Sequence, residues 1–529
     1  MIIQSIAHLD LDIIPQGVRH LLSQHAQIRP LINQFADEDG FERTIASRRF
    51  DSSIRRLTAE RIRFQYGENI VPEVSQQLEK FEDEQTFTVT TGHQLNLFTG
   101  PAFFFYKIIH TISLAQRLNE LHPGKYFIPV YWMATEDHDL DEIDHTTFFR
   151  QELKWDRANE GAVGRMSTDG LPALAAQVKE ILHWDDDHPK WKVFEAYSNA
   201  EDLASATRIL VNELFGHEGL VVIDADDPKL KRAFAGHMWR DINEGVGKQY
   251  VTEQNQQLQE LGYKVQVNPR DINLFYLTDH ERIRLSREGE QVKGVNTDHT
   301  WSLDEIQSEL QAHPERFSPN VVMRPLYQEV ILPNIAYIGG PGEMSYWIQL
   351  KSFFDAMEVD FPILLPRNGA LILSASALAK VKKLSLEIND LFNERPEDFT
   401  RAWLDANTSV DFSLDEAKSR IASIFQEIKS KATEVDQSLN KKVEGSLQRQ
   451  LKEIEGIEKS MEKAWKNRQE TSLRQLENLH ETVFPGGSFQ ERKQNFFGLE
   501  SGFQANLVDI LLKEMCPLEP GILVIADEK

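Results

Sequence analysis

The stretch TFTVTTGHQLNLFTGPAFFFYK, residues 86–107, indicates the fold of this 529-residue chain. It begins with β-branched residues that favour a strand, continues through a glycine-bearing loop, and enters a segment with helical apolar spacing from Ala102 to Asn119. The apolar run YFIPVYWMA, residues 126–134, then predicts a second, buried strand. A strand, a loop, a helix and a strand in this order form the unit from which parallel sheets are built.

Similar units follow along the chain. Buried strands that end in turns are predicted in GLVVIDADDPKLKRAF at 219–234, NIAYIGGPGEMSYWIQLKSFF at 334–354 and FPILLPRN at 361–368. The sequence therefore predicts a doubly wound α/β core within residues 1–375, whose first 84 residues or so are mainly helical. Two polar stretches, at about 146–215 and 263–320, are interpreted as insertions between core strands, and the second carries the pattern of a small β element.

A long helical arm is predicted for residues 376–484, which are highly charged and poor in glycine and proline. Apolar residues recur there at spacings of three and four, at Val443, Leu447, Leu451, Ile454, Ile457 and Met461. This periodicity predicts a coiled coil that joins two chains in a homodimer, and it is equally compatible with an intramolecular helical hairpin. Pro485 and the glycines after it end the arm, and residues 485–529, with the strand-like GILVIA, are expected to return to the core.

Composition excludes several classes of function. The net charge of −25 repels phosphate backbones and acidic lipid headgroups, so we expect neither nucleic-acid nor membrane binding. The single cysteine, Cys516, permits no internal disulfide and no cysteine-rich zinc site. The N-terminus lacks the pattern of a secretion signal. We therefore expect a cytoplasmic protein with small-molecule substrates.

The loop after the first core strand is the first candidate site, because open α/β sheets bind ligands beyond the carboxyl ends of their strands. Glycine lets the backbone approach a ligand, a following helix start offers N–H groups to an anion, and a histidine can carry a proton near neutral pH. The candidate residues are Thr91, Gly92, His93, Gln94, Asn96 and Gly100. A purely structural strand-to-helix turn is the alternative.

The second candidate loop follows the strand at 126–134 and contains Glu136, Asp137, His138 and Asp139. Four ionisable residues at the end of a buried strand are expensive unless they meet a ligand, a metal ion or water. A carboxylate there can bind a substrate ammonium group or act as a base, with His138 as a proton carrier. An acidic solvated loop and a zinc site that uses His138 and His145 are the alternatives.

The third candidate loop leads from a buried strand into a helix. Glycines around a proline can form a phosphate-binding nest or allow close contact with a nucleotide, and a structural Gly-Pro turn is the alternative. The candidates are Tyr337, Gly339, Gly340, Gly342, Glu343 and Tyr346. Arg324 and Arg367, on either side of this loop in the sequence, are candidate partners for an anion.

Taken together, several motifs resemble the bacillithiol-biosynthesis cysteine-adding enzymes. The segments are TGHQLNLFTGPAFFFYK, PVYWMATEDHDLDEI, VVMRP, YIGGPGEMSYWIQLK, PRN and FPGGSFQER, in the family's order from about residue 90 to 492. The resemblance implies a Rossmann-like core related to the nucleotidyl-transferase synthetases, inserted connecting segments and a coiled coil that forms a homodimer. It also implies a ligase that adds L-cysteine to glucosaminyl malate to give bacillithiol, a low-molecular-weight thiol. Many family members carry glutamine at the position of His93.

Amide synthesis from a carboxylate and an ammonium is uphill in water, so we expect ATP to activate cysteine, with Mg²⁺ as its counter-ion and no tightly bound metal. Gly92, His93 and Gln94 are then expected near the phosphates. We expect Asp137 and His138, with Glu136 and His93 as further catalytic candidates, to orient or deprotonate the sugar amine. Arg324 or Arg367 would bind the malyl carboxylates. A coiled-coil scaffold without catalysis and a metal-dependent hydrolase are the alternative functions.

Overall fold

The computed structural model describes residues 2–11, 14–158, 161–407, 412–503 and 505–527. The chain divides into two compact units. The core unit comprises Met1–Ser374 and Gln490–Lys529, and the helical unit comprises Ala375–Phe489.

The described strands all belong to the core unit. They are β1 (Ile2–Ala7), β2 (Thr86–His93), β3 (Tyr126–Met133), β4 (His145–Phe148), β5 (Gln151–Lys154), β6 (Val221–Asp224), β7 (Leu274–Leu277), β8 (Arg282–Glu288), β9 (Gln291–Gly294), β10 (Thr300–Ser302), β11 (Phe317–Pro319), β12 (Asn334–Gly339), β13 (Ile363–Pro366), β14 (Gly369–Leu373) and β15 (Gly521–Ala526).

The α-helices of the core unit that precede the helical unit are α1 (Gln16–Leu22), α2 (Glu38–Ser47), α3 (Ser52–Tyr66), α4 (Pro72–Phe81), α5 (Phe103–Leu121), α6 (Leu171–Ile181), α7 (Pro189–Phe194), α8 (Ala196–Asn199), α9 (Leu203–Phe215), α10 (Pro228–Glu244), α11 (Val246–Glu260), α12 (Leu303–Ala312), α13 (Met323–Ile331), α14 (Pro341–Trp347) and α15 (Lys351–Ala356). The helical unit contains α16 (Ala375–Lys383), α17 (Pro396–Asn407), α18 (Asp415–Val435), α19 (Leu439–Arg468) and α20 (Glu470–Val483). The core unit ends with α21 (Gln490–Lys493), α22 (Phe496–Glu500) and α23 (Leu507–Glu514).

The central sheet has five parallel strands in the order β13-β12-β2-β3-β6. The chain runs outward from β2 through β3 to β6, and then returns to the other side of β2 for β12 and β13. Strands β2 and β3 are buried along nearly their whole length, as expected for parallel strands covered on both faces. The sheet is therefore the doubly wound α/β core that the sequence predicts, with its switch point between β2 and β12.

Apolar side chains from helices on one face of this sheet form a continuous core. Phe41 of α2 and Leu114 and Leu118 of α5 pack with Phe87 and Phe127 of the strands, and all five are almost completely buried. Full burial of one such side chain contributes about 1.5–3 kcal/mol. The sheet is thus a rigid support for the loops at its carboxyl edge.

A smaller sheet joins the two ends of the core unit. Strand β15 pairs in parallel with β14 and antiparallel with β1. The strand-like C-terminal segment was predicted, whereas β1 lies in a region that the sequence indicated as mainly helical. Its partner β15 lies more than five hundred residues away, and local periodicity does not reveal such a pairing.

The region predicted as the second insertion forms a five-stranded sheet in the order β10-β9-β8-β7-β11, in which every pair is antiparallel. The small β element predicted there is present. The region of the first insertion contains the antiparallel hairpin of β4 and β5, followed by α6 to α9. The second insertion contributes side chains to the site described below.

In the helical unit, α18 and α19 pack on each other as a hairpin. Ion pairs cross the hairpin between Lys418 and Glu458, at 2.7 Å, and between Lys429 and Glu444, at 2.5 Å. The structure therefore shows the intramolecular hairpin that the periodicity allowed. Association of two chains through this unit stays a prediction.

Within the described ranges, no helix is both long enough and apolar enough to cross a membrane. The cytoplasmic location expected from the sequence stays a prediction.

Candidate functional site

A cavity of about 670 Å³ lies at the carboxyl edge of the parallel sheet, where β2 and β12 are neighbours. It is within the range of volumes of small-molecule sites. Several residues singled out from the sequence line it: Gly92, His93, Gln94, Glu136, Asp137, Arg324, Tyr337, Glu343 and Tyr346. Other residues singled out lie outside its lining: Thr91, Asn96, Gly100, His138, Asp139, Gly339, Gly340, Gly342 and Arg367.

The loop after β2 presents bare backbone to the cavity at Gly92. A Cβ atom added there would lie 3.4 Å from both the Arg324 guanidinium and the Tyr337 hydroxyl. The preceding residue, Thr91, donates a hydrogen bond from Oγ1 to the Ile338 carbonyl at 2.8 Å and so ties β2 to β12. The absence of a side chain at Gly92 therefore leaves space in the cavity beside Arg324 and Tyr337.

His93 is partly buried and packs against aromatic rings, with 4.9 Å between its centroid and that of Phe103. Burial lowers the pKa of His93 to about 3, and the positive charge of Lys107 adds to this effect. The imidazole is therefore neutral at physiological pH. Its Nε2 atom is buried and has no hydrogen-bond partner among the described residues, so this group can bind a ligand without carrying charge.

The rest of this loop is structural. Asn96 Nδ2 donates to the Glu142 carbonyl at 3.0 Å, and Gly100, at a φ of 62°, offers its carbonyl to Asn495 Nδ2. Helix α5 begins at Phe103, eleven residues after Gly92, and the N–H of Ala102 before it donates to the Gln494 carbonyl at 2.8 Å. Asn96 and Gly100 lie outside the cavity lining, so ligand binding by these residues and the helix start stays a prediction.

Glu343, at the start of α14, forms a buried network across the switch point. Its carboxylate accepts hydrogen bonds from Lys107 Nζ at 2.6 Å, the Tyr337 hydroxyl at 2.7 Å and the Gly340 N–H at 2.8 Å. Lys107 also donates to the Gly92 carbonyl. Although burial alone would raise it, the charge and hydrogen bond of Lys107 and the other two donors lower the pKa of Glu343 to about 2.

Gly339, Gly340 and Gly342 of the glycine-rich loop lie outside the cavity lining, so the phosphate-binding role that the sequence suggested for them stays a prediction. The Gly340 N–H is already bonded to Glu343, and α14 has only seven residues. A Cβ atom at Gly339 would lie 2.7 Å from a side-chain atom of Met344, whereas Gly342 has open space around its Cα. The chemistry of this loop comes from Glu343, Tyr337 and Tyr346, which line the cavity.

Asp137 is held by three neighbours at the cavity wall. Gln94 Nε2 donates to Oδ2 at 2.5 Å, and Arg282 Nη1 donates to Oδ1 at 3.0 Å. His138, whose side chain is about half exposed, approaches the same Oδ1 at 3.4 Å through Nδ1. Burial would raise the pKa of Asp137, but the hydrogen bond from His138, the charge of Arg282 and the Gln94 contact together hold it well below its usual range. Asp137 is thus an anion at neutral pH, and Asp139 is exposed and outside the lining.

Glu136 has a different environment from its neighbour. Its carboxylate forms an ion pair with Lys231 Nζ at 2.6 Å, and only about a tenth of its side chain is exposed. Burial raises the pKa of Glu136 to about 7, against the opposing charge of Lys231, and the nearby Asp226 raises it further. Among the predicted catalytic residues that line the cavity, Glu136 therefore exchanges a proton closest to neutral pH.

The two predicted anion-binding arginines have different surroundings. Arg324 lies between Trp132 and Tyr337, with its Cζ 5.9 Å and 5.6 Å from their ring centroids, and its buried Nη2 has no hydrogen-bond partner among the described residues. Arg367 is buried outside the cavity and bonded through both terminal nitrogens to Glu491. Because Nη1 of Arg324 donates to Gln328 Oε1 at 3.2 Å, its Nη2 is the terminal nitrogen left for a ligand in the cavity, whereas both terminal nitrogens of Arg367 donate to Glu491.

Sequence reasoning missed several cavity residues. Lys107 could have been identified from the sequence, because it lies in an otherwise apolar helix and a buried lysine nearly always has a partner. Arg282 and Phe275 come from the predicted insertion, where nothing local marks them. Lys231 is not a lining residue, but it forms an ion pair with Glu136, which lines the cavity. No group of three or more possible metal-binding His, Cys, Asp or Glu side chains occurs in the part of the chain that the structure describes.

A doubly wound parallel sheet with an ion-lined cavity at its switch point defines a Rossmann-like α/β protein with a polar small-molecule site. Residues 4–368 match the family described as bacillithiol biosynthesis BshC, N-terminal Rossmann-like domain, and residues 370–526 match the BshC C-terminal coiled-coil domain. The chain belongs to the bacillithiol biosynthesis BshC family.

Individual relatives agree with this assignment. The chain is 41% identical to a protein of Flavobacterium johnsoniae named "Putative cysteine ligase BshC", over 96% of each chain. A protein of the same name from Christiangramia forsetii is 38% identical over 95% of each chain. One from Bacillus cytotoxicus is 29% identical over 79% of this chain and 81% of the relative.

Proposed function

We propose that the core unit is a ligase that joins L-cysteine to the amine of glucosaminyl malate, with ATP activating the cysteine carboxylate. The names of the relatives support the cysteine ligase reaction. The observation that carries the proposal is the charge arrangement of one cavity: Glu136, whose pKa is raised to about 7, shares it with the Arg324 guanidinium, whose Nη2 has no hydrogen-bond partner among the described residues. Glucosaminyl malate requires a base for its amine and a cation for its malyl carboxylates, and these two residues can supply them.

Arg324 is the proposed partner of the malyl carboxylates. Its guanidinium is planar and always charged, and its free Nη2 suits an acceptor with carboxylate geometry. Trp132 and Tyr337 restrict its movement, so little side-chain freedom remains to be lost when an anion binds. Arg367, the other candidate from the sequence, lies outside the cavity lining, and both of its terminal nitrogens donate to Glu491.

Glu136 is the proposed general base, in place of Asp137 and His138, which the sequence favoured. Asp137 binds protons too weakly to remove one from an ammonium group, whereas a carboxyl group with a pKa of about 7 can do so. Glu136 takes one proton from the substrate ammonium, and the neutral amine attacks the activated carbonyl carbon. As the C–N bond forms, the bond to the leaving oxygen breaks, and the second proton departs with the leaving group.

The residues around Gly92 fit the nucleotide that this reaction requires. Gly92 exposes backbone, and the buried Nε2 of His93 has no hydrogen-bond partner among the described residues, as a group that meets a phosphate-bearing ligand would. When bound here, ATP with Mg²⁺ as its counter-ion would supply the leaving group for the cysteine carboxyl. Gln94, which is held by Asp137, would orient the ligand beside this loop.

The test is ligation by the purified full-length protein with cysteine and glucosaminyl malate, with and without ATP and Mg²⁺, followed by mass spectrometry of the product. We expect product only with nucleotide, and product without it contradicts the activation step. Glu136→Gln should lower kcat by about 10²–10⁴-fold, the usual contribution of a general base. Glu288→Gln, at an exposed ion pair with Lys293, is the matched control and should leave kcat unchanged.

We also propose that the helical unit joins two chains. Five large apolar side chains on its hairpin are exposed: Ile424, Ile428, Val435, Ile457 and Met461. Exposed apolar residues at helical spacing are typical of a surface that is covered in an assembly. The family's coiled-coil domain covers this part of the chain.

A further inference from the structure

We infer that Lys231, itself held by Asp226, is a positioning residue that directs the Glu136 carboxylate toward the amine of the acceptor. The inference rests on the proposed function, because it gives Lys231 a role through Glu136. Lys231 lies one turn into α10, behind the cavity wall, and is not one of the lining residues.

The ammonium group of Lys231 has three oxygen neighbours. Nζ lies 2.6 Å from Glu136 Oε1, 2.8 Å from Asp226 Oδ1 and 3.1 Å from the Glu315 carbonyl. Only 1% of the side chain is exposed. The Asp226 carboxylate and the Glu315 carbonyl accept hydrogen bonds from the ammonium group, and the Glu136 carboxylate forms an ion pair with it. The ammonium therefore has a fixed position, and it fixes the one carboxylate among its partners that faces the cavity.

Asp226 is anchored from the opposite side. Arg165 donates to both of its oxygens, from Nε at 2.6 Å and from Nη2 at 2.8 Å. The turn that carries Arg165 is seated tightly, because a Cβ atom at Gly164 would lie 2.6 Å from the Cβ of Thr135. Thr135 immediately precedes Glu136, so the turn of the first insertion and the loop after β3 hold this cluster together.

The charges around Glu136 act in opposite directions. Lys231 and, more weakly, Arg282 of β8 lower the pKa of Glu136, and Asp226 raises it. Asp224, at the end of β6, is partly buried near Asp226 and accepts a hydrogen bond from Thr135 at 2.5 Å. Burial and the charge of Glu136 both raise the pKa of Tyr327 of α13. Because Lys231 is shared between Glu136 and Asp226, its single positive charge does not fully offset the negative charge of Glu136.

A purely structural pair and a positioning pair give different results when the charges are changed one at a time. We propose to measure the pH dependence of kcat/KM for the full chain with cysteine, glucosaminyl malate and ATP. Lys231→Gln removes the nearest positive charge and should move the acid-side midpoint to higher pH by about one unit or more. Asp226→Asn removes the opposing negative charge and should move the midpoint to lower pH. Loss of stability alone would lower activity without shifting the midpoint in opposite directions.

Each outcome decides a separate question. If the parent protein forms no product at any pH, the proposed function fails. If the parent is active and Glu136→Gln is as active as the parent, the base assignment fails. If Glu136→Gln is impaired but the midpoint of folded Lys231→Gln or of Asp226→Asn stays at the parent value, the inference about Lys231 is overturned.

Asp226→Asn keeps the size and one acceptor oxygen of the parent residue, so we expect this variant to fold. If Lys231→Gln does not fold, Asp226→Asn alone tests the inference. A midpoint that is unchanged or raised in Asp226→Asn then overturns the inference. A lowered midpoint supports it. Glu288→Gln, at the exposed pair used above, should keep the parent profile.

Discussion

Replacing Glu343 by glutamine tests the network that joins the two sides of the switch point. Glutamine keeps an oxygen that can accept from the Tyr337 hydroxyl or the Gly340 N–H. It removes the negative charge that lies 2.6 Å from Lys107, whose side chain is only 3% exposed. The variant therefore leaves a buried ammonium group with the Gly92 carbonyl as its remaining partner.

The size of the effect follows from the pKa of Glu343. A fall from 4.5 to about 2 corresponds, at about 1.36 kcal/mol per unit, to about 3 kcal/mol of stability. About a quarter of the side chain is exposed, which reduces this to about 2–3 kcal/mol. Because the folded-state pKa is depressed, this contribution is present above about pH 4.5 and is lost as pH falls towards about 2.

The assay is urea unfolding followed by tryptophan fluorescence. Two of the nine tryptophans, Trp403 and Trp465, lie in the helical unit, so a Trp403→Phe/Trp465→Phe background confines the signal to the core unit. At pH 7, Glu343→Gln should lower the free energy of unfolding by about 2–3 kcal/mol, and the difference from the parent should shrink below pH 4.5. Glu288→Gln should change it by less than about 0.5 kcal/mol. A loss at Glu343 no larger than that of this control would refute the reasoning.

Three further predictions concern binding and assembly. Gly92→Ala should raise the KM for ATP about tenfold without unfolding the protein, because the new methyl group narrows the cavity beside Arg324; an unchanged KM in steady-state assays contradicts it. Arg324→Gln should raise the KM for glucosaminyl malate by about 10–100-fold and leave that for cysteine near the parent value, and equal effects on both substrates would argue against its role. The double variant Ile457→Asp/Met461→Asp should be monomeric in multi-angle light scattering, at concentrations where the parent protein is a dimer. Phe64→Asp, at an exposed apolar residue of the core unit, is the control and should remain a dimer. A monomeric parent protein contradicts the dimer proposal.

The parallel sheet was predictable because its strands carry their signal locally. Strands β2 and β3 are buried on both faces, so their sequences are continuous runs of β-branched and apolar residues rather than alternating ones. The carboxyl ends of adjacent parallel strands meet at one edge. Loops that follow such strands could therefore be assigned to one site, and Gly92, Glu136 and Glu343 do line one cavity.

The partners of these residues were not predictable, because they depend on contacts between distant parts of the chain. Arg282 reaches Asp137 from a separate sheet, 145 residues later in the sequence. Arg367 had every local mark of an anion-binding arginine, yet Glu491, 124 residues away, neutralises it. A sequence pattern shows which side chains can carry charge, but only the fold shows which charges remain unsatisfied.

Three carboxylates on the cavity wall show how the fold assigns different tasks to similar groups. Asp137 has Arg282, Glu343 has Lys107, and Glu136 has Lys231. The first two carboxylates also accept further hydrogen bonds, and each has a pKa below its usual value. Glu136 must share its cation with the buried Asp226, and its pKa is raised. Two anions are thereby fixed as hydrogen-bond acceptors, while the third can exchange a proton. Groups whose environments separate their pKa values in this way are the ones to which acid–base roles are assigned.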